Sequence, residues 1–157
     1  MLGKALFQIV LATVVISPAS ANWGHWRGEY GNSVSSTSQP PTIWSPTENI
    51  KWRVAVPSRG SGSPVIWDKR VFLVTAVTAE ESDVSNRSLA RIRSLARMQF
   101  DLQCYNRDDG KTLWRCTTCE ATPHEGTHGT SGFSSASPCT DGIYVYAHFG
   151  SRGIYCY

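Results

Sequence analysis

The sequence predicts an all-β fold of short antiparallel strands, built from a unit that recurs along the chain. Three observations carry this. "RVFLVTAV" and "GIYVYAHF" are dense in β-branched and aromatic residues, the types that fit a pleated, half-buried surface. "FDLQCYNRDDGKTLWRC" has two such runs around Asp109-Gly110, a pair suited to the positive backbone angles of a hairpin turn. Three landmarks, Trp-Arg, Ser-Pro and Cys-Tyr, then recur in one order.

In chain order, residues 1–21 form a secretory signal peptide. "MLGK" is a charged start, "ALFQIVLATVVI" is an apolar run of 12 residues, and Ala19-Ser20-Ala21 is an A-x-A cleavage site. That run is short for a bilayer span, and no later segment is apolar enough to be one. The mature chain is expected to start at Asn22 and to be exported, in the periplasm or outside the cell. Residues 22–49 are a Trp-rich segment holding Trp23, Trp26 and Trp44. Repeats occupy 50–157.

The landmarks define the repeats. "IKWR" (Ile50–Arg53) matches "TLWR" (Thr112–Arg115), "SPVIWDKRVFLV" from Ser63 matches "SPCTDGIYVYAH" from Ser137, and "LQCY" (Leu102–Tyr105) matches "IYCY" (Ile154–Tyr157). Trp52, Pro64, Trp114, Pro138, Asp109 and Gly110 are therefore expected to be structural. Spacings differ because of insertions. The first unit carries a basic one at about 79–99, where Arg87, Arg91, Arg93 and Arg97 alternate with Leu89, Ile92, Leu95 and Ala96 as in a short amphipathic helix. Twelve extra residues between Trp114 and Pro138 hold "HEGTH".

Strands are expected at roughly 50–56, 63–67, 70–77, 100–106, 112–117, 134–139, 143–149 and 152–157, from the apolar alternation and the turn residues. A unit of a few antiparallel strands repeated with unequal loops is a propeller blade. The expected architecture is a partial β-propeller of about two blades, incomplete and unclosed. The segment around Trp52 would be the last strand of a blade whose other strands lie elsewhere. Phe72, Trp67, Trp114, Tyr144 and Tyr146 would be left partly open, so the chain is expected to be marginally stable or to self-associate.

The chain has 157 residues, 41% hydrophobic and only 17% charged, with a formal charge of +3. That excludes a disordered chain and gives no basis for a nucleic-acid partner. The five Cys are an odd number, so at least one is unpaired within the chain. "CTTC" (Cys116–Cys119) is followed by Glu120, where haem attachment needs His; a local disulfide and plain thiols both remain open. Cys104 and Cys156, at equivalent repeat positions, suggest packing sites.

"LQCYNRDDGKTLWR" resembles the repeat of pyrroloquinoline-quinone-like (PQQ-like) β-propellers: a hydrophobic strand, an acidic turn ending in Gly, then a strand ending in Trp. "NWGHWRGEYGNSVS", "WSPTENIKWRVAVPSRGSGSPVIWDKRVFL" and "SASPCTDGIYVYAHFGSRGIYCY" look like the N-terminal part of exported proteins with this repeat. The resemblance implies a parent of about seven or eight blades, of which this chain would be a fragment.

"HEGTH" spells the H-E-x-x-H of zinc proteases, with His124 and His128 as ligands and Glu125 as base. That chemistry needs both His on one helix face. Pro123, Gly126, Gly129 and Gly132 oppose a helix, and no third ligand is spaced nearby. The zinc reading is rejected in favour of a loop braced by hydrogen bonds. No catalytic residue and no cofactor are assigned, and cofactor-binding residues stay unknown.

The expected function is that of a non-catalytic exported scaffold or binding module of the periplasm or cell envelope, with protein partners or the remaining propeller blades as its contacts. The alternative is the N-terminal piece of a quinoprotein oxidoreductase. The resemblance would then imply an adjacent Cys-Cys pair, a calcium site and a catalytic Asp, and this sequence has no Cys-Cys pair.

Overall fold

A computed structural model describes residues 22–36, 38–79 and 96–157. The proposed signal peptide, most of the basic insertion and its expected helix lie outside the described residues. The protein is all-β, with two antiparallel sheets that do not close on each other. The first holds β1 (Val65–Trp67), β2 (Arg70–Thr78), β3 (Met98–Asn106) and β4 (Thr112–Ala121), in that order. The second holds β5 (Cys139–Thr140), β6 (Val145–His148) and β7 (Ile154–Cys156), preceded by a 3-10 turn over Gly150–Arg152.

Local chemistry explains the connections. β1 and β2 are joined by Asp68 and Lys69, with Asp68 in the left-handed region at φ 52°. Between β3 and β4 the chain makes a longer loop, closed by Asn106 N–H to the Lys111 carbonyl and Gly110 N–H to the Asn106 carbonyl. The Asn106 and Asp109 side chains accept from the N–H groups of Asp108 and Lys111, two residues on in each case. Only Gly110 has positive φ there, at 73°. The expectation of positive angles at both Asp109 and Gly110 is thus corrected: a longer loop needs just one left-handed residue.

The core lies between the sheets. Phe72, Val74 and Ala76 of β2 and Met98, Phe100, Leu102 and Cys104 of β3 share one face of the first sheet. Val145, Ala147 and Phe149 meet them from the second. Phe149 stands edge-on to Phe100, with ring centroids 5.2 Å apart, and burial of such a ring contributes about 2 kcal/mol. The N-terminus bridges the sheets: Trp23 pairs with Ile66 beside β1, and Thr140 N–H donates to the Gly24 carbonyl.

Several expectations need correction. Residues 50–56 form no strand, and no backbone hydrogen bond joins 50–57 to any described residue. A strand needs a ladder partner, and none of the described residues supplies one. The expected strand 134–139 shrinks to Cys139–Thr140: Pro138 has no N–H for a ladder, and Ser134 is buried and bonded to Ser58. Phe72 is buried, not open, because Trp114 and the second sheet cover it. The equivalent cysteines diverge, Cys104 being buried and Cys156 exposed, since the second sheet covers the face that carries Cys104, while Cys156 lies on the face of the second sheet turned away from that core.

Candidate functional site

The loop from Pro123 to Ala136 crosses one end of the sheets and walls two clefts. The smaller, about 340 Å³, has Phe100, Phe133 and Phe149 in its lining and carries His124, Glu125, His148 and Arg152. The larger, about 550 Å³, takes in Arg59, Met98 and His128. Gly132 sets the loop's approach: a Cβ there would stand 1.7 Å from the Arg59 carbonyl oxygen. Ser58 Oγ links loop and sheet, bonding Ser134 Oγ at 2.9 Å and the Ala76 backbone at 3.1 Å.

The "HEGTH" residues lie in this loop, outside any helix. His124 Nδ1 is 2.9 Å from Ser151 Oγ, while His128 Nδ1 is 2.8 Å from Thr130 Oγ1. The two rings therefore brace different parts of the loop region and line different clefts. Arg152 donates through Nη2 to the Thr122 carbonyl, and its buried Nε has no hydrogen-bond partner among the described residues.

Of the structural residues, Trp52 and Gly110 come together. Trp52 Nε1 donates to the Arg107 carbonyl at 2.8 Å, and a Cβ on Gly110 would meet the Trp52 ring at 2.7 Å. Asp109 is in the same loop, its carboxylate held below the usual range by the Lys111 backbone N–H and side chain. Trp114 lies in the other direction, with its ring centroid 6.0 Å from that of Phe72 and beside Tyr157 and Gly142. Pro64 and Pro138 immediately precede β1 and β5 and do not meet the others; Ser63 N–H donates to Ser137 Oγ, tying the two Ser-Pro steps directly.

Two features escaped sequence reasoning. Asp101 is fully buried, bonded by Arg115 Nε at 2.9 Å and by Arg115 Nη2, with Thr117 and Gln99 completing its shell. The Asp is four residues into a strand, where alternation alone cannot announce a buried charge. The other feature is a bulge in β4. Phe100 pairs with Cys119 and Asp101 with Thr117, so Thr118 is extra. This puts both thiols of "CTTC" on the core-facing side, where they meet Tyr155 and Tyr157. All five cysteines are free thiols.

Four of the described aspartates already have partners. Asp101 is taken by Arg115, Asp108 by Lys51, Asp109 by Lys111, and Asp141 by the N–H groups of Ile143 and Tyr144. Among the described residues no group of three His, Cys, Asp or Glu side chains could hold a metal ion. No described helix is long and apolar enough to cross a membrane. No family model, curated protein or solved structure matches this chain. The class that fold and site define is a two-sheet all-β protein with a loop-walled cleft at one end.

Proposed function

We propose that this chain holds about two PQQ-like propeller blades, incomplete and unclosed, as a fragment of an exported, non-catalytic scaffold or binding module of the periplasm or cell envelope. One observation carries the reading. The landmark equivalences seen in the sequence are reproduced in the pairing registers. Val65 stands opposite Phe72 and Phe72 opposite Cys104; Cys139 stands opposite Tyr146 and Tyr146 opposite Cys156. Two sheets of one register, packed face to face, support reading them as neighbouring blades. The clefted end, walled by loops of unequal length, is the surface such a module offers to partners.

The test has two arms. Expressed with its leader in a bacterial host, the protein is expected in the exported fraction with Asn22 as its first residue; retention in the cytoplasm with residues 1–21 intact would overturn the export assignment. Purified protein is then titrated with pyrroloquinoline quinone and calcium and assayed for dye-linked alcohol and sugar oxidation. No saturable quinone binding and no dye reduction are expected, and quinone-dependent turnover would replace the scaffold reading with the oxidoreductase one.

A further inference from the structure

In a regular strand the two cysteines of "CTTC" would point to opposite faces, because three positions is an odd step. The bulge at Thr118 cancels that. Cys116 stands opposite Leu102 and Cys119 opposite Phe100, two residues on one face of β3. The intervening threonines fix the distortion: Thr117 Oγ1 donates to Asp101 at 2.9 Å, and Thr118 Oγ1 donates to the Phe100 carbonyl at 2.8 Å. Both thiols are partly buried. The phenol of Tyr157 lies against Cys116 and that of Tyr155 against Cys119. Tyr155 is held there by its own hydroxyl, which donates to the Arg152 carbonyl at 2.9 Å.

Spacing decides what this pair can do. Positions two apart on one face of a strand are about 6.7 Å from each other. A disulfide needs Cβ atoms about 3.8 Å apart, so the pair closes one only by undoing the bulge. A single ion between the sulfurs needs them about 4.6 Å apart, at about 2.3 Å for each metal–thiolate bond. Each side chain then leans inward by about 1 Å, a small adjustment of χ1. Thiolates are soft ligands and select soft ions. Zn(II) takes four ligands in a closed site, and no third His, Cys, Asp or Glu joins the pair among the described residues. Cu(I) is satisfied by two thiolates.

We propose that Cys116 and Cys119 form a binding site for one Cu(I) ion, bridged between their sulfurs beneath Tyr155 and Tyr157. Binding exchanges two S–H protons for one monovalent ion; both protons leave to solvent and no electron moves. The complex carries one negative charge, which the charge of Arg152, already felt at Tyr155, helps to offset. The other thiols offer no second pair: Cys104 is buried, and Tyr146 stands between Cys139 and Cys156 in the ladder. The site needs only the β3–β4 ladder and the two tyrosines, so it is independent of the repeat reading.

The experiment titrates the full chain with Cu(I) under anaerobic conditions, against the chromogenic Cu(I) chelator bicinchoninate. The exposed thiols are first removed as Cys139→Ser and Cys156→Ser, and this form serves as the reference. It is expected to withhold one Cu(I) per chain from the chelator, with two sulfur neighbours in X-ray absorption. Adding Cys116→Ser or Cys119→Ser is expected to surrender the ion. A relocated pair, Cys119→Ala with Glu120→Cys, keeps two thiols but turns one to the opposite face of β4, and is expected to surrender it too. Circular dichroism checks that each variant keeps its β signature, and the relocated pair carries the test if a serine variant fails to fold. With diamide, the metal-free reference is expected to keep both thiols free. No Cu(I) withheld by the reference, equal retention by a serine variant or the relocated pair, or a Cys116–Cys119 disulfide formed readily with diamide would each overturn the proposal.

Discussion

Trp52 reaches across the β3–β4 loop so that its indole N–H meets the Arg107 carbonyl at 2.8 Å, 55 residues away in sequence. That bond anchors an otherwise unladdered segment to the first sheet. Trp52→Phe keeps an aromatic ring and loses the bond, leaving a part-buried carbonyl unpaired. The expected cost is about 1 kcal/mol in urea unfolding. Trp52→Ala should cost more and expose 50–57 to limited proteolysis ahead of the sheets; equal proteolysis of parent and variant would show that the anchor does not hold the segment.

Asp101 and Arg115 form a pair that is unequal in burial: the carboxylate is fully buried, whereas the Arg side chain is 41% exposed. Removing either partner should therefore be asymmetric. Arg115→Ala strands a buried charge and is expected to destabilise by about 3 kcal/mol, while Asp101→Asn frees an Arg that water can reach and should cost less. Equilibrium denaturation of both variants settles the order. The reverse order would place the burden on the Arg.

Gly110 combines φ of 73° with contact against Trp52, whereas Gly150, at φ 58°, has open space where a Cβ would stand. Gly150→Ala should cost only the left-handed penalty, about 1 kcal/mol. Gly110→Ala adds a clash with the ring and should cost visibly more, with a change in Trp fluorescence that the Gly150 variant lacks.

Burial in the core pushes the Cys104 thiol up to about 11, against a small opposing effect of Arg70. Its raised value means that the folded state keeps the proton. The resulting stabilisation is full below about 9, the unfolded value, and is lost as pH rises from there through about 11. Cys104→Ala should flatten the alkaline fall in stability. In native alkylation followed by mass spectrometry, exposed Cys139 and Cys156 should be modified first and Cys104 last. Early labelling of Cys104 would show that the inter-sheet core opens readily.

Alternation and turn chemistry made much of the architecture legible in advance. β2, β3 and β6 fall where β-branched and aromatic residues alternate, and the Asp-Gly steps at Gly110 and Gly142 mark turns beside β3 and β6, because these are local preferences of the chain. The equivalence of Phe72 with Tyr146 and of Cys104 with Cys156 was also legible, since one repeated unit carries one pattern. Tertiary structure decided what no local preference contains. It set whether 50–57 finds a ladder, which depends on a partner strand elsewhere. It chose which of two equivalent cysteines is buried, because one sheet is covered on that face and the other is not. It placed an extra residue at Thr118, turning Cys116 and Cys119 to the same side. And it buried Asp101, a charge tolerated inside only because Arg115, Thr117 and Gln99 are brought to it by the folding of separate strands.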